Sequence, residues 1–107
     1  MASTFQVLAE PKRRRILDLL LQDERSVGEL VKTLAMSQPA VSKHLRMLRE
    51  AGLVEVRIEA QRRCYRVRPE PLAEMDEWLA PYRTFWSHKL KELDERHKEL
   101  RGLPSQP

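Results

Sequence analysis

The chain has one cysteine, Cys64, among its 107 residues, so no intrachain disulfide can form, and a lone thiol fits a reducing compartment. A redox role for Cys64 competes with the plainer one of a small apolar side chain on a strand. Apolar runs are short. Nothing approaches the roughly 20 consecutive residues of a membrane span, and the N-terminus carries neither the basic start nor the apolar core of a secretion signal. These absences predict a cytoplasmic protein with no membrane partner. Glycine occurs only three times, which leaves no glycine-rich phosphate loop. There is also no paired carboxylate in an apolar setting and no serine or cysteine with an evident base, so neither an enzyme, a catalytic residue nor a cofactor is expected.

Charge is plentiful and uneven. Residues 1–68 hold fourteen Lys/Arg against eight Asp/Glu, whereas residues 69–107 hold six against eight. A basic body with a mildly acidic tail directs its attractive field at a polyanion. At this length one domain is expected, 1–100, with a core modest enough that a second subunit adds useful burial.

The most informative stretch is SVGELVKTLAMSQPAVSKHLRMLREAGLVEV, residues 26–56. Ser26 and Glu29 have the spacing of a capping box, and Val27, Leu30, Val31 and Leu34 give the helix that follows one apolar stripe. Ala35-Met36 forms the turn, Ser37 caps a second helix that tolerates Pro39 in its first turn, and Gly52 ends it in a left-handed conformation. In that second helix Val41, Leu45 and Leu48 share one face, opposite Pro39, Ser42, Lys43 and Arg46. Short polar residues at the start of a helix, Gln38 and Ser42, suit base edges in a major groove, and cations further along suit phosphate or guanine. An ordinary solvated helix face is the plainer alternative.

Val54, Val56 and Ile58 then alternate with charged residues, Ala60-Gln61-Arg62 makes a turn, and residues 63–68 alternate again. This is a β-hairpin bearing Arg57, Arg62, Arg63, Arg66 and Arg68, a basic wing directly behind the second helix.

With these residues in place, the chain resembles the ArsR/SmtB type of dimeric winged helix-turn-helix repressors of bacteria. The likeness is carried by AEPKRRRIL at 9–17, SQPAVSKHL at 37–45, AGLV at 51–54 and Tyr65, and it covers about the first two-thirds of the chain. Tyr82-Arg83-Thr84-Phe85-Trp86 looks like the branch of the family without metal sites. The resemblance implies a mainly α fold with a β-hairpin wing, dimerising through N- and C-terminal helices, that binds a two-fold-related operator in double-stranded DNA. Thiolate sensors of that family place Cys-x-Cys in the first helix of the pair, where this chain has Ser26 and Gly28. The family's other site uses Asp-x-His followed by His and a carboxylate, and Asp76-Glu77-Trp78, His88 and residues 94–97 do not keep that spacing. No metal ligand is nominated. A site built from His88, His97, Asp94 and Glu95 across a two-fold axis is the alternative to solvated helix histidines.

Outside the core segment at 9–68, residues 4–9 read as a short helix presenting Phe5 and Leu8. Pro11 opens a helix ending near Gln22, with Ile16, Leu17, Leu20 and Leu21 as its buried stripe. The cations at 12–15 crowd the positive end of that helix, so phosphate contact is weighed against pairing with Glu10 or Asp18. From Leu72 to Leu100 apolar residues recur every three or four positions, a helix too long to bury its stripe on so small a domain, with a kink or break expected at Pro81. Phe5, Leu8, Tyr82, Phe85, Trp86, Leu90 and Leu93 are therefore expected to pair two subunits, with 1–8 and 72–100 as dimerisation helices and 101–107 as a flexible tail. The DNA-binding set is Ser37, Gln38, Pro39, Ser42, Lys43, His44, Arg46, Arg57, Arg62 and Arg63, with His44 at the helix flank donating to a phosphate. The expectation is a homodimeric repressor of its own and neighbouring genes, with a protein-interaction module or a nonspecific architectural DNA binder as alternatives; no effector is identified.

Overall fold

The first four helices begin where a side chain satisfies free backbone N–H groups. In this computed structural model, which describes residues 3–100, Ser3 and Gln6 form a capping box on α1 (Thr4–Leu8), and Glu10 caps α2 (Pro11–Gln22). Ser26 caps α3 (Val27–Leu34) in the expected box with Glu29, and Ser37 caps α4 (Gln38–Glu50) through the Ala40 N–H at 3.3 Å. Arginines of α2 finish α1: Arg13 Nε donates to the Val7 carbonyl at 2.6 Å, and Arg14 to those of Leu8 and Ala9 at 2.6 and 3.2 Å. Carbonyls, rather than Glu10 or Asp18, thus hold two of the four cations at 12–15.

The turn between α3 and α4 passes through Ala35 at φ 53°, and α4 ends in a Schellman motif. There Gly52, at φ 75°, donates to Arg49 O and Leu53 to Leu48 O, so that Leu53 folds under the helix it follows. The chain leaves as β2 (Val54–Glu59) and returns as β3 (Arg62–Val67), antiparallel with Glu59 opposite Arg62. The hairpin loop is therefore Ala60-Gln61, and Arg62 belongs to the strand rather than the turn. A third strand, β1 (Arg25–Ser26), pairs with β3 to give the order β1-β3-β2. Two residues are too few to show a strand period, so β1 was not legible in the sequence.

Up to Ala73 the chain forms one unit. Its core joins Val7 of α1, Ile16, Leu17 and Leu20 of α2, Leu30 and Leu34 of α3 and Val41, Leu45 and Leu48 of α4 with Leu53, Val54 and Tyr65. Leu72 packs against this cluster. Leu21, expected in the α2 stripe, is 77% exposed, and Ile58 near the hairpin tip is 66% exposed. Leu21 lies one residue beyond Leu20, about 100° round the helix, and so falls off the buried face. The second unit begins at Glu74. It carries most of α5 (Glu70–Leu100), one uninterrupted helix with Pro81 inside it, which corrects the expected break. Pro81 leaves the Glu77 carbonyl without its intrahelical donor, and both residues are exposed, so water can satisfy it. The expected tail at 101–107 lies outside the described residues.

Removing Leu45, fully enclosed in this core, should destabilise the fold by about 2–5 kcal/mol as Leu45→Ala, whereas Leu21→Ala should cost less than about 1 kcal/mol. Urea unfolding checks both. Equal losses would mean that the core is drawn incorrectly.

Candidate nucleic-acid interface

Burying Val41, Leu45 and Leu48 fixes the rotation of α4 about its own axis, and the opposite face is thereby committed to solvent. Ser37, Gln38, Pro39, Ser42, Lys43 and Arg46 are all exposed on it. The N-terminal end of α4 faces the hairpin across an open groove whose walls include Gly28, Gln38, Ser42, Arg62, Arg63 and Tyr65. The structure therefore brings the short polar residues expected to read bases beside two of the wing arginines expected to meet phosphate.

The wing is less basic than its sequence suggests. Glu24 pairs with Arg57 at 2.6 Å and approaches Arg66 at 3.7 Å, while Glu55 holds Arg66 at 2.5 Å and lies 3.8 Å from Arg68. Glu59 and Glu70 add longer contacts to Arg57 and Arg68, and Glu29 pairs with Arg62. Of the five wing arginines, Arg63 is the one without a carboxylate partner among the described residues, and Lys43 and Arg46 on α4 likewise have none. The free positive charge of this surface is thus concentrated on Lys43, Arg46 and Arg63. Glu24 was missed in the sequence and Glu29 was read only as a cap, because the register that sets them opposite the wing comes from β1.

His44 has a different setting from the rest of its set. It is half-buried, with Nδ1 3.4 Å from the Arg13 guanidinium, which also donates to Met47 Sδ at 3.1 Å. A guanidinium only donates, so Nδ1 must be the unprotonated nitrogen and Nε2 carries the hydrogen. Burial, and then the Arg13 charge, hold the His44 pKa below its ordinary 6.5; Lys12 and Lys43 act in the same direction and Glu10 against it. Arg13 thereby links the end of α1 to the flank of α4, a contact with no signal in the spacing of the residues.

On α5, Tyr82, Phe85, Trp86, Leu90 and Leu93 are exposed large apolar residues, and Phe5 on α1 is half exposed; Leu8 packs partly against the core. Trp78 extends the α5 stripe, its ring centroid 4.8 Å from that of Tyr82. It was missed as part of the patch, although it stands four residues before Tyr82. Among the described residues no three His, Cys, Asp or Glu side chains cluster as a metal site, and no helix is long and apolar enough to cross a membrane.

A two-helix reading unit with a capped, two-faced second helix, followed by an antiparallel hairpin, defines a winged helix-turn-helix. The profile of the bacterial regulatory proteins of the arsR family matches residues 10–56. An HTH-type transcriptional regulator of Mycobacterium tuberculosis is 40% identical over 80% of this chain and 78% of its own. The biofilm growth-associated repressor of Agrobacterium fabrum is 40% identical over 74% of this chain and 68% of its own. The transcriptional activator HlyU of Vibrio cholerae is 43% identical over 70% and 69%. In solution, the homodimeric winged helix-turn-helix DNA-binding domain of a possible ArsR-family regulator from Mycobacterium bovis has a similar structure. It shows a TM-score of 0.61 and 34% identity over 74% of this chain and 73% of that one. The chain belongs to the ArsR family of transcriptional regulators.

The His44 setting predicts a pH dependence of stability. With its folded pKa depressed, the imidazole contributes stability in full above about pH 6.5 and loses it as pH falls through that value towards the folded pKa. Urea midpoints measured from roughly pH 8 down to pH 5 should fall, and His44→Gln should flatten the fall. An unchanged profile in the variant would remove His44 as its source.

Proposed function

We propose that the chain is a sequence-specific DNA-binding regulator acting as a homodimer, most directly as a repressor that blocks transcription by occupying a two-fold-related operator. The observation that carries this reading is that Gln38 and Ser42, on an exposed α4 face that continues through Lys43 and Arg46, line one groove with Arg62 and Arg63 of the wing. On this surface and the adjoining wing, Ser37, Gln38, Pro39 and Ser42 are assigned to base edges in the major groove, and Lys43, Arg46, Arg57, Arg62 and Arg63 to phosphates or guanine. His44 is assigned to the flank, where its Nε2–H is the hydrogen left to donate to a phosphate. The reading unit is 9–68 within a single functional domain, 1–100.

Pairing is assigned to Phe5 and Leu8 with Tyr82, Phe85, Trp86, Leu90 and Leu93, because all of these but Leu8, which packs partly against the core, are large exposed apolar side chains of the kind subunit interfaces cover. A dimer of this kind presents two reading helices about 34 Å apart, one for each of two successive major grooves. The protein acts in the cytoplasm, carries no catalysis and needs no cofactor for DNA binding. The names of its relatives include both a repressor and an activator. Repression is favoured because occupancy alone achieves it, with no further contact to the transcription machinery.

Competition between operator and random duplex tests the reading face. Gln38→Ala or Ser42→Ala should cost about 1–3 kcal/mol on the operator alone, whereas Lys43→Ala should weaken both DNAs to a similar degree. An unchanged operator-to-random ratio for both Gln38 and Ser42 variants would end the assignment.

Sedimentation tests the pairing. Leu93→Arg should convert dimer to monomer and weaken operator binding by more than about tenfold, with the far-ultraviolet helix signal largely kept. If Leu93→Arg and Trp86→Arg both stay dimeric, the interface lies elsewhere.

A further inference from the structure

Glu29 is where the cap of α3 meets the wing. Its Oε1 accepts the Ser26 backbone N–H at 3.1 Å and the Ser26 hydroxyl at 3.0 Å, and the Arg62 guanidinium donates to the same oxygen. The Arg62 and Glu29 side chains are 58% and 44% exposed, so this ion pair is open to exchange with an anion from solution. Arg62 also lines the groove shared with Gln38, Ser42 and Arg63. An anion arriving there meets one guanidinium already held by a carboxylate, Arg62, and one that has none, Arg63.

We propose that Glu29 restrains DNA affinity by competing with backbone phosphate for Arg62, an inference that rests on the DNA-binding reading above. Carboxylate and phosphate present the same kind of oxygen pair to the guanidinium fork, so a phosphate gains Arg62 only by displacing Glu29. Arg63 needs no such displacement. The two neighbouring wing arginines therefore have different duties: Arg63 is available to any phosphate, whereas Arg62 is released only when a phosphate is held close against the groove. An exposed pair is weak and screened by salt, so the restraint is modest for each subunit and greatest at low ionic strength. Glu24 applies the same logic to Arg57 on the neighbouring strand β2, with its 2.6 Å contact. Carboxylates next to β1 thus face the wing twice.

Glu29→Gln isolates the charge, because glutamine also serves at the third position of a capping box and α3 keeps its start. Binding of a random-sequence duplex is measured at about 50 and 200 mM salt for the wild-type chain, Glu29→Gln, Arg62→Gln, Arg63→Gln and the Glu29→Gln/Arg62→Gln pair, with thermal melting to verify folding. Glu29→Gln should bind about threefold to tenfold more tightly at the lower salt, with a smaller gain at the higher one. The gain should vanish when Arg62→Gln is the background. In the wild-type background Arg62→Gln should weaken binding less than Arg63→Gln does, a comparison that stands even if Glu29→Gln fails to fold. Weaker or unchanged binding by Glu29→Gln overturns the proposal, as does an equal gain without Arg62, or a larger loss from Arg62→Gln than from Arg63→Gln. A wild-type chain that binds no duplex at either salt overturns the DNA-binding reading and this proposal with it. That result is distinct from a wild type that binds while Glu29→Gln gains nothing.

Discussion

The surface assigned to DNA depends on how α4 is held. Val41, Leu45 and Leu48 are almost wholly enclosed by α2, α3 and the start of the hairpin, and this burial sets the helix rotation. Each fully buried aliphatic side chain contributes about 1.5–3 kcal/mol, so turning α4 to expose even one of them is heavily disfavoured. The two ends are fixed as firmly as the face. Ser37 satisfies the first N–H groups, and the Schellman motif at Gly52 folds Leu53 beneath Leu48 and launches β2. The distance from helix to wing is therefore a consequence of one helix ending.

Electrostatics acts on that scaffold as a second, weaker layer. Carboxylates at Glu24, Glu29 and Glu55 neutralise most of the hairpin, leaving positive charge concentrated on Lys43, Arg46 and Arg63. A surface that attracts polyanions strongly everywhere binds any DNA, and one with few unpaired cations leaves more of the affinity to base contacts. Arg13 shows the opposite arrangement: its guanidinium is taken up by one carbonyl, a sulfur and an imidazole nitrogen, where it connects α1 with α4.

The helix-turn-helix was legible in the sequence because its determinants are local. Capping residues, the 3.6-residue period and the left-handed glycine all act within a few positions, and Ser26, Glu29, Ser37 and Gly52 take the roles their spacing implies. The family strings at 9–17 and 37–45 added identity to that geometry. What escaped the sequence is non-local or too short. β1 is two residues long, the ion pairs of Arg57 and Arg62 join partners 33 positions apart, and the Arg13 to His44 contact spans 31. Leu21 and Pro81 are errors of a different kind. The apolar stripe suggested burial for the first and proline's missing N–H a break for the second, and the solvent-facing side of each helix decided otherwise.

The central claim is that two copies of the α4 face read two half-sites on one side of a duplex. Hydroxyl-radical footprinting on DNA upstream of the protein's own gene tests it most directly. The account predicts two protected patches whose centres lie about one helical turn, 10–10.5 base pairs, apart or a multiple of it, related by two-fold symmetry. A single unpaired patch, or uniform protection that follows no sequence, would contradict it.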